Sequence, residues 1–320
     1  MMKIGIVGEV HEDGLKILHN ENFDIIQVKE FSKNNLIHSL SDVDAIILRT
    51  SNLDSEILSS CPKLKIVSRH GVGYDNVDQK YLQRNNIALS ITSTSNAASV
   101  AEHVITMFLV LSKNIFESNK IVKSGNYKLK SQLPNFFELY KKNIFILGFG
   151  RIGKALAKRC LGFEANISVY DPFVSKSDIE NYGCTSVSKE EGFRNADYIS
   201  IHMPLNKETK NLISYDEFKI FKKNLILVNT ARGGIINEAA LYKALSSKSI
   251  FGAGLDVYEV EPPPSDLDLF KLDNIILSPH NAALTLECRK RMAIECCENV
   301  YHFLKDKEKL NPNNIIDLSK

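Results

Sequence analysis

The sequence lacks the patterns that mark several classes of protein. No hydrophobic run approaches the ~20 residues that a membrane-spanning helix needs. The net charge is only +2, and no run of lysine and arginine indicates a nucleic-acid partner. The first residues, MMKIGIVGEV, enter a strand pattern at once, so we expect no signal peptide. Together these absences favour a cytoplasmic protein that binds neither a membrane nor nucleic acid.

The six cysteines also lack the spacing of a metal site. They form no CxxC pair and no cysteine–histidine pattern of the zinc type. Most of them lie in apolar segments, as expected of small core side chains in a reducing compartment. We therefore predict no metal. The six positions are Cys61, Cys160, Cys184, Cys288, Cys296 and Cys297.

What the sequence does contain is a regular alternation of short apolar runs and amphipathic helical patterns. This alternation is typical of βαβ units, and 320 residues allow about two domains. One series of strands begins at Lys3 and a second begins at Asn143. A nearly apolar pattern between them predicts one buried helix from Asn96 to Ile115. A further long helix is predicted over residues 284–304. We therefore expect an α/β fold with two mostly parallel sheets.

Only the second half holds a dinucleotide-binding motif. Gly148, Gly150 and Gly153 directly follow the apolar strand IFIL and open a helical pattern. Arg151 and Ile152 stand at the start of that helix, where free amide groups would bind a pyrophosphate. The first half offers no such glycine spacing, so the second half is predicted to bind the cofactor.

The next predicted strand ends at Asp171, 18 residues beyond Gly153. A carboxylate there would accept hydrogen bonds from the adenosine ribose. No arginine follows closely enough to bind a 2′-phosphate, so NAD is favoured over NADP. The alternative is a glycine-rich turn with an acidic surface residue.

Three polar residues follow predicted strands, where an α/β sheet places its chemistry. They are Arg232, Glu261 and His280, separated by 29 and 19 residues. Histidine suits the transfer of a hydroxyl proton, and a paired carboxylate would orient it and favour the imidazolium. Arginine offers a planar fork for a carboxylate or keto oxygen. Singly, each has a plainer interpretation: a surface ion pair, a solvated acid or a core histidine.

Seven separated segments resemble the D-isomer-specific 2-hydroxyacid dehydrogenase family, and they span almost the whole chain. They are SRHGVGYDNVD from Ser68, SVAEHV from Ser99, LGFGRIGKALA from Leu147, HMPLNKETKNLI from His202, VNTARGGIINEAAL from Val228, GLDVYEVEPP from Gly254 and SPHNAALT from Ser278.

The resemblance implies a homodimeric, NAD-dependent enzyme that interconverts a D-2-hydroxy acid and its 2-keto acid. It implies two Rossmann-like domains: a flavodoxin-like substrate domain, residues 1–98 and 284–320, and an inserted NAD-binding Rossmann domain, residues 99–283. It assigns the active site to Arg232, Glu261 and His280, and a nicotinamide contact to Asp256.

The resemblance also implies that residues 70–73 bind the substrate carboxylate through backbone amides. These residues are His70, Gly71, Val72 and Gly73. A glycine-containing turn between a strand and a helix is the plainer interpretation.

Arg49 and Arg69 end neighbouring predicted strands, and two guanidinium groups there would suit a phosphate. The chain is similar to a short phosphoglycerate dehydrogenase without a regulatory domain, which makes 3-phosphoglycerate one candidate substrate. His70 and Val72 stand where such enzymes usually carry small residues, so a hydroxypyruvate or glyoxylate reductase is an alternative. A formate dehydrogenase and an NAD-sensing corepressor without turnover are further alternatives.

Glu102 and His103 are interpreted as polar positions on the long apolar helix rather than as a second catalytic pair.

Overall fold

The computed structural model describes residues 1–319, and contacts divide the chain into two compact units. The first unit comprises Met1–Asn96 and the segment that begins at Ala283, and the second comprises Ala97–Ala282. For comparison, the domain boundaries predicted from the sequence stand at residues 98/99 and 283/284.

A parallel five-stranded sheet forms the centre of the first unit. Its strands are β1 (Lys3–Val7), β2 (Asp24–Val28), β3 (Ala45–Leu48), β4 (Ile66–Arg69) and β5 (Ala88–Ser90). Four helices connect them: α1 (Glu12–Asn20), α2 (Lys33–Leu40), α3 (Ser55–Ser59) and α4 (Gln79–Arg84). The spatial order β2-β1-β3-β4-β5 is the flavodoxin-like order, and β3 is buried at every residue because helices cover both faces.

The second unit begins with two helices, α5 (Ala97–Ser112) and α6 (Ile115–Lys123), and a 3-10 helix, Tyr127–Gln132. The sequence prediction of one helix from Asn96 to Ile115 is wrong at its C-terminal end. The backbone enters the left-handed region at Asn114, with φ of 46°, and the two helices diverge by 55°. Asparagine tolerates this conformation, and apolar periodicity does not signal it. Among residues 1–319 no single helix could span a membrane, although the bent pair α5–α6 satisfies the requirements of length and composition alone.

A parallel seven-stranded sheet follows. Its strands are β6 (Asn143–Leu147), β7 (Asn166–Tyr170), β8 (Thr185–Ser186), β9 (Tyr198–Ile201), β10 (Ile226–Asn229), β11 (Gly252–Leu255) and β12 (Ile275–Leu277). Its helices are α7 (Arg151–Leu161), α8 (Lys176–Glu180), α9 (Lys189–Asn195), α10 (Tyr215–Ile220), α11 (Glu238–Ser246) and a 3-10 helix, Asp268–Lys271. The order β8-β7-β6-β9-β10-β11-β12 reverses between β6 and β9, as in a Rossmann fold. The predicted α/β fold class is confirmed.

The last long helix, α12 (Leu286–Lys305), belongs to the first unit and packs against α1. Two 3-10 helices follow it, Lys307–Lys309 and Pro312–Asn314. Ser68 on β4 donates a hydrogen bond of 3.0 Å to the carbonyl of Cys296, which fixes α12 over the sheet. All six cysteines are buried and unpaired, as expected of core side chains.

Candidate active site

The glycine motif forms a tight turn between β6 and α7. Gly148 has a φ of 94°, and a Cβ atom there would lie 2.6 Å from the carbonyl oxygen of His202. A Cβ atom on Gly153 would lie 2.2 Å from the carbonyl oxygen of Gly148. Neither position therefore accepts a side chain, and the helix packs directly onto the turn.

Gly150 has a different role, because a Cβ atom there would meet nothing within 4 Å. The space in front of the turn is open, and Gly150 as N-cap supplies no side chain to bond the first amides of α7. Arg151 and Ile152 lie in that first turn. An open approach and uncapped amides at the positive end of a helix fit the pyrophosphate of a dinucleotide.

Asp171 follows β7 and contacts the glycine turn. Its Oδ2 accepts a hydrogen bond of 2.7 Å from the backbone amide of Phe149, and its Oδ1 accepts one of 2.8 Å from Phe173. The carboxylate is thus fixed beside the residue between Gly148 and Gly150. This is where the adenosine ribose of a dinucleotide lies in a Rossmann fold.

Two buried polar atoms at the carboxyl edge of this sheet have no hydrogen-bond partner within the described chain. They are Nδ1 of His202 and Oγ1 of Thr230, each one residue beyond the ends of the neighbouring strands β9 and β10. Burial lowers the pKa of His202 to about 3, so its ring is neutral. Unpaired buried polar atoms are costly, and a bound dinucleotide with many polar groups would satisfy them. Sequence reasoning missed both residues, although both stand at strand ends in motifs of the resemblance.

The structure brings Glu261 and His280 into direct contact. Nδ1 of His280 lies 2.8 Å from Oε2 of Glu261, and the two side chains are 52% and 37% exposed. The other carboxylate oxygen, Oε1, accepts a hydrogen bond of 3.1 Å from the amide of Tyr258. The glutamate therefore has a fixed orientation and holds the imidazole by one edge, which leaves Nε2 on the opposite edge of the ring.

Arg232 lies on the turn after β10. The buried side chain of Asn229 ties this turn by donating 2.8 Å to the carbonyl of Arg232 and accepting 3.0 Å from the amide of Ala231. A Cβ atom on Gly233 would lie 1.7 Å from the carbonyl oxygen of Tyr258. The turn that carries Arg232 is thus packed against the loop that carries Glu261. All three predicted catalytic residues lie in the second unit.

Asp256 is buried, and its carboxylate holds the loop on which His280 lies. It accepts hydrogen bonds from Oγ of Ser278 (2.5 Å) and from the amides of Asn281 (2.9 Å) and Ala282 (3.0 Å). His280 itself has a φ of 51°, which is unfavourable for a residue with a side chain. The surrounding bonds stabilise this conformation.

The predicted substrate residues lie in the first unit, at the ends of β3 and β4. Within residues 1–319, the amides of 71–73 donate to no acceptor, whereas the carbonyls of Gly71 and Gly73 accept from the amide of Thr92 (3.0 Å) and from Nε of Arg69 (2.8 Å). Val72 lies between them in the same partly exposed turn. Three adjacent amides without acceptors suit an anion.

The two arginines predicted to bind substrate, Arg49 and Arg69, differ in their surroundings. Nη1 of Arg69 donates to the carbonyls of Leu48, at 2.7 Å, and of Arg49, so much of this guanidinium is engaged by the backbone. The guanidinium of Arg49 pairs with no carboxylate of the described chain. His70 is 7% exposed, and burial, assisted by the charge of Arg49, lowers its pKa to about 4.

No group of three or more histidine, cysteine or carboxylate side chains in residues 1–319 could hold a metal ion.

Residues 105–282 match the family described as D-isomer specific 2-hydroxyacid dehydrogenase, NAD binding domain. The chain belongs to this family. A glyoxylate reductase from Thermococcus litoralis is 37% identical over 314 residues, which cover 95% of this chain and 94% of the relative. A D-3-phosphoglycerate dehydrogenase from Archaeoglobus fulgidus is 34% identical over 95% of this chain, but the chain spans only 58% of that longer relative. The fold is also similar to the crystal structure of D-lactate dehydrogenase from Aquifex aeolicus in complex with NAD and lactic acid. The TM-score is 0.84, the sequence identity is 28%, and the match covers 98% of each chain.

The comparisons confirm the predicted family and the predicted cofactor, NAD. This 2-hydroxyacid dehydrogenase family member is an NAD-dependent oxidoreductase, and residues 105–282 contain its NAD-binding domain.

Proposed function

We propose that this protein interconverts a small D-2-hydroxy acid and its 2-keto acid, with Arg232, Glu261 and His280 as the catalytic residues. The observation that carries the proposal is the 2.8 Å contact between Nδ1 of His280 and Oε2 of Glu261. A histidine held by a carboxylate through Nδ1 has Nε2 available for a substrate hydroxyl.

The reductive direction consumes one keto acid, one NADH and one proton. Bound NADH supplies the hydride to the keto carbon. His280, protonated beside Glu261, donates the proton to the carbonyl oxygen as the alkoxide develops. Arg232 binds the carboxylate or keto oxygen of the substrate through its planar fork. In the oxidative direction, neutral His280 accepts the hydroxyl proton.

The cofactor half supports the same proposal. Gly148, Gly150, Arg151, Ile152 and Gly153 form the pyrophosphate site, because the turn is open and the amides of α7 are uncapped. The carboxylate of Asp171 binds the ribose hydroxyls and would repel a 2′-phosphate.

We further propose that Asp256 lies beside the nicotinamide while its carboxylate holds the loop of His280. Its three hydrogen bonds with that loop support the second part of this role.

The substrate carboxylate is proposed to bind the amides of residues 71–73, which have no acceptor of their own within the described chain. We propose an unphosphorylated acid such as glyoxylate or hydroxypyruvate, because the backbone already engages much of Arg69. A second candidate, 3-phosphoglycerate, is supported by Arg49, whose guanidinium has no carboxylate partner within residues 1–319.

We also propose that the protein is a homodimer located in the cytoplasm. Several apolar side chains in the segment after α5 are exposed, and a second copy of the chain would bury them. These are Ile115, Phe116, Val122, Tyr127, Phe136 and Tyr140. Light scattering of the protein and of Phe116→Glu tests the dimer, because a buried charge at this surface would favour the monomer. Six unpaired cysteines support the reducing compartment.

The function is tested by NADH oxidation with glyoxylate, hydroxypyruvate, pyruvate, 2-ketoglutarate and 3-phosphohydroxypyruvate. We expect turnover with at least one small keto acid and a preference for NADH over NADPH. In His280→Ala, turnover should fall by about 100-fold or more while the Kd for NADH stays within about 3-fold. Full turnover in this variant would remove His280 from the mechanism. NADH binding without turnover of any acid would instead indicate a non-enzymatic NAD sensor.

A further inference from the structure

A polar side chain outside the proposed catalytic set approaches the loop of His280 from α5. Nε2 of His103 lies 3.0 Å from Oγ of Ser278 and 3.9 Å from Oδ1 of Asp256. The sequence alone indicates only that His103 is a polar residue on an apolar helix. The structure places it next to Ser278 and Asp256.

The direction of the hydrogen bonds can be deduced. The hydroxyl of Ser278 has a single proton, and it donates that proton to Asp256 at 2.5 Å. Its oxygen therefore accepts in the contact with His103, so Nε2 of His103 carries the hydrogen. The chain of donors runs from His103 through Ser278 to the carboxylate of Asp256.

Asp256 passes this constraint to the backbone around His280. The same carboxylate accepts from the amides of Asn281 and Ala282, directly after His280. One turn before His103 on the same face of α5, Ser99 donates 2.6 Å to the carbonyl of Ala282. Helix α5 thus holds the loop on both sides of His280.

The backbone of His280 needs such support, because its φ of 51° is unfavourable and persists only where surrounding bonds determine it. The carbonyl of Ser278 is fixed as well, since it accepts from the hydroxyl of Tyr258 at 3.0 Å. The conformation of residues 278–282 is therefore set by these hydrogen bonds rather than by local preference.

We propose that His103 is a positioning residue for the reaction: through Ser278 and Asp256 it holds residues 278–282 in the conformation that presents His280 to the substrate. This inference rests on the proposed function, because it assigns His103 an effect on the proton transfer of His280. In this role His103 acts on His280 through Ser278 and Asp256 rather than on the substrate directly.

The test compares His103→Ala, His103→Asn and His103→Gln in the full chain. Loss of the donor should lower kcat by about 10- to 100-fold, as a small misplacement of a catalytic group does. The Kd for NADH should change by less than about 3-fold, because the glycine turn is untouched. The amide of glutamine reaches nearly as far as Nε2 and can donate to Ser278, so His103→Gln should recover most of kcat. The side chain of asparagine is too short to reach Ser278, so His103→Asn should not recover kcat.

A double-mutant cycle with Ser278→Ala separates this role from a general effect on folding. If His103 acts through Ser278, the double variant His103→Ala/Ser278→Ala should have the same kcat as Ser278→Ala within about 2-fold. The inference would be overturned if the two single losses of kcat multiplied in the double variant. It would also be overturned if His103→Gln did not recover kcat. Glu102→Gln is the matched control, because Glu102 lies on the same helix as His103 and the change removes only its 2.9 Å ion pair with Arg159 of α7.

The two proposals fail in different ways. Wild-type turnover with a large loss in His280→Ala, combined with unchanged kcat in His103→Ala, rejects only the role of His103. Full turnover in His280→Ala rejects the proposed mechanism itself. His103→Gln also supplies a folded protein if the alanine variant is unstable.

Discussion

The carboxylate of Glu261 lies 2.8 Å from Nδ1 of His280 and is oriented by the amide of Tyr258 at its other oxygen. In the proposed mechanism Glu261 would have two effects: it would orient the imidazole and supply a counter-charge to the protonated ring. A substitution that keeps the shape and removes the charge can separate them.

Glu261→Gln is that substitution. The amide oxygen can still accept from Nδ1, so the ring stays oriented, but the imidazolium loses its counter-charge. We expect kcat for keto-acid reduction to fall by about 100-fold with little change in the Kd for NADH. Steady-state kinetics and NADH titration measure both quantities. Asp266→Asn, an exposed change in the same loop, is the control. Equal kcat in wild type and Glu261→Gln would mean that orientation alone suffices.

Arg232 is expected to need its guanidinium and not only its charge. In Arg232→Lys a single ammonium replaces the planar fork, so kcat/KM for the keto acid should fall by about 100-fold. The Kd for NADH should stay the same, because β9 separates β10, which precedes Arg232, from β6, which precedes the glycine turn. Arg194→Lys provides the matched control, since its ion pair with Glu190 is exposed. An unchanged kcat/KM in Arg232→Lys would contradict bidentate binding.

Asp171 should determine the choice of cofactor. Asp171→Asn retains an oxygen for the amide of Phe149 but loses the negative charge at the ribose. The Kd for NADH should rise by about 10-fold, and the ratio of the NADPH Kd to the NADH Kd should become smaller. Isothermal titration with both cofactors measures this. Asp178→Asn on α8 removes a nearby exposed charge and should leave both affinities unchanged. A wild-type protein that binds NADPH more tightly than NADH would refute the assignment.

The sequence was sufficient for features that depend on neighbouring residues. The glycine turn, Asp171 and the two parallel sheets each follow from a strand, a spacing and a strand end. The break at Asn114 was not predictable in this way, because an apolar run continues through a left-handed residue without a change of pattern.

The sequence pattern also does not predict long-range polar contacts. His103 and Ser278 are separated by 175 positions, and periodicity indicates which face of a helix is buried but not which residue it meets. Likewise, the resemblance implies a nicotinamide contact for Asp256, whereas its hydrogen bonds to residues 278–282 are visible only in the structure. The unpaired atoms of His202 and Thr230 could have been suspected only from their places after strands.

His70 leads to a prediction about acid stability. Burial, assisted by Arg49, lowers its pKa in the folded protein to about 4, against an ordinary value of 6.5. Between these values the unfolded chain binds a proton that the folded chain does not. The free energy of unfolding should therefore decrease as the pH falls from about 6.5 to about 4, and this group should add no further slope below that. At pH 4.5 the loss from His70 alone is about 2.5 kcal/mol.

Urea unfolding at pH 7.0 and pH 4.5 tests this for wild type, His70→Gln and His19→Gln. Other groups, including buried His202, also lower the free energy of unfolding in acid. The informative quantity is therefore the difference between wild type and each variant in the stability lost on acidification. The stability lost on acidification should be smaller in His70→Gln than in wild type by about 2.5 kcal/mol. The exposed His19 should make no difference. Identical losses in wild type and His70→Gln would mean that His70 takes up a proton in the folded protein as readily as in the unfolded chain.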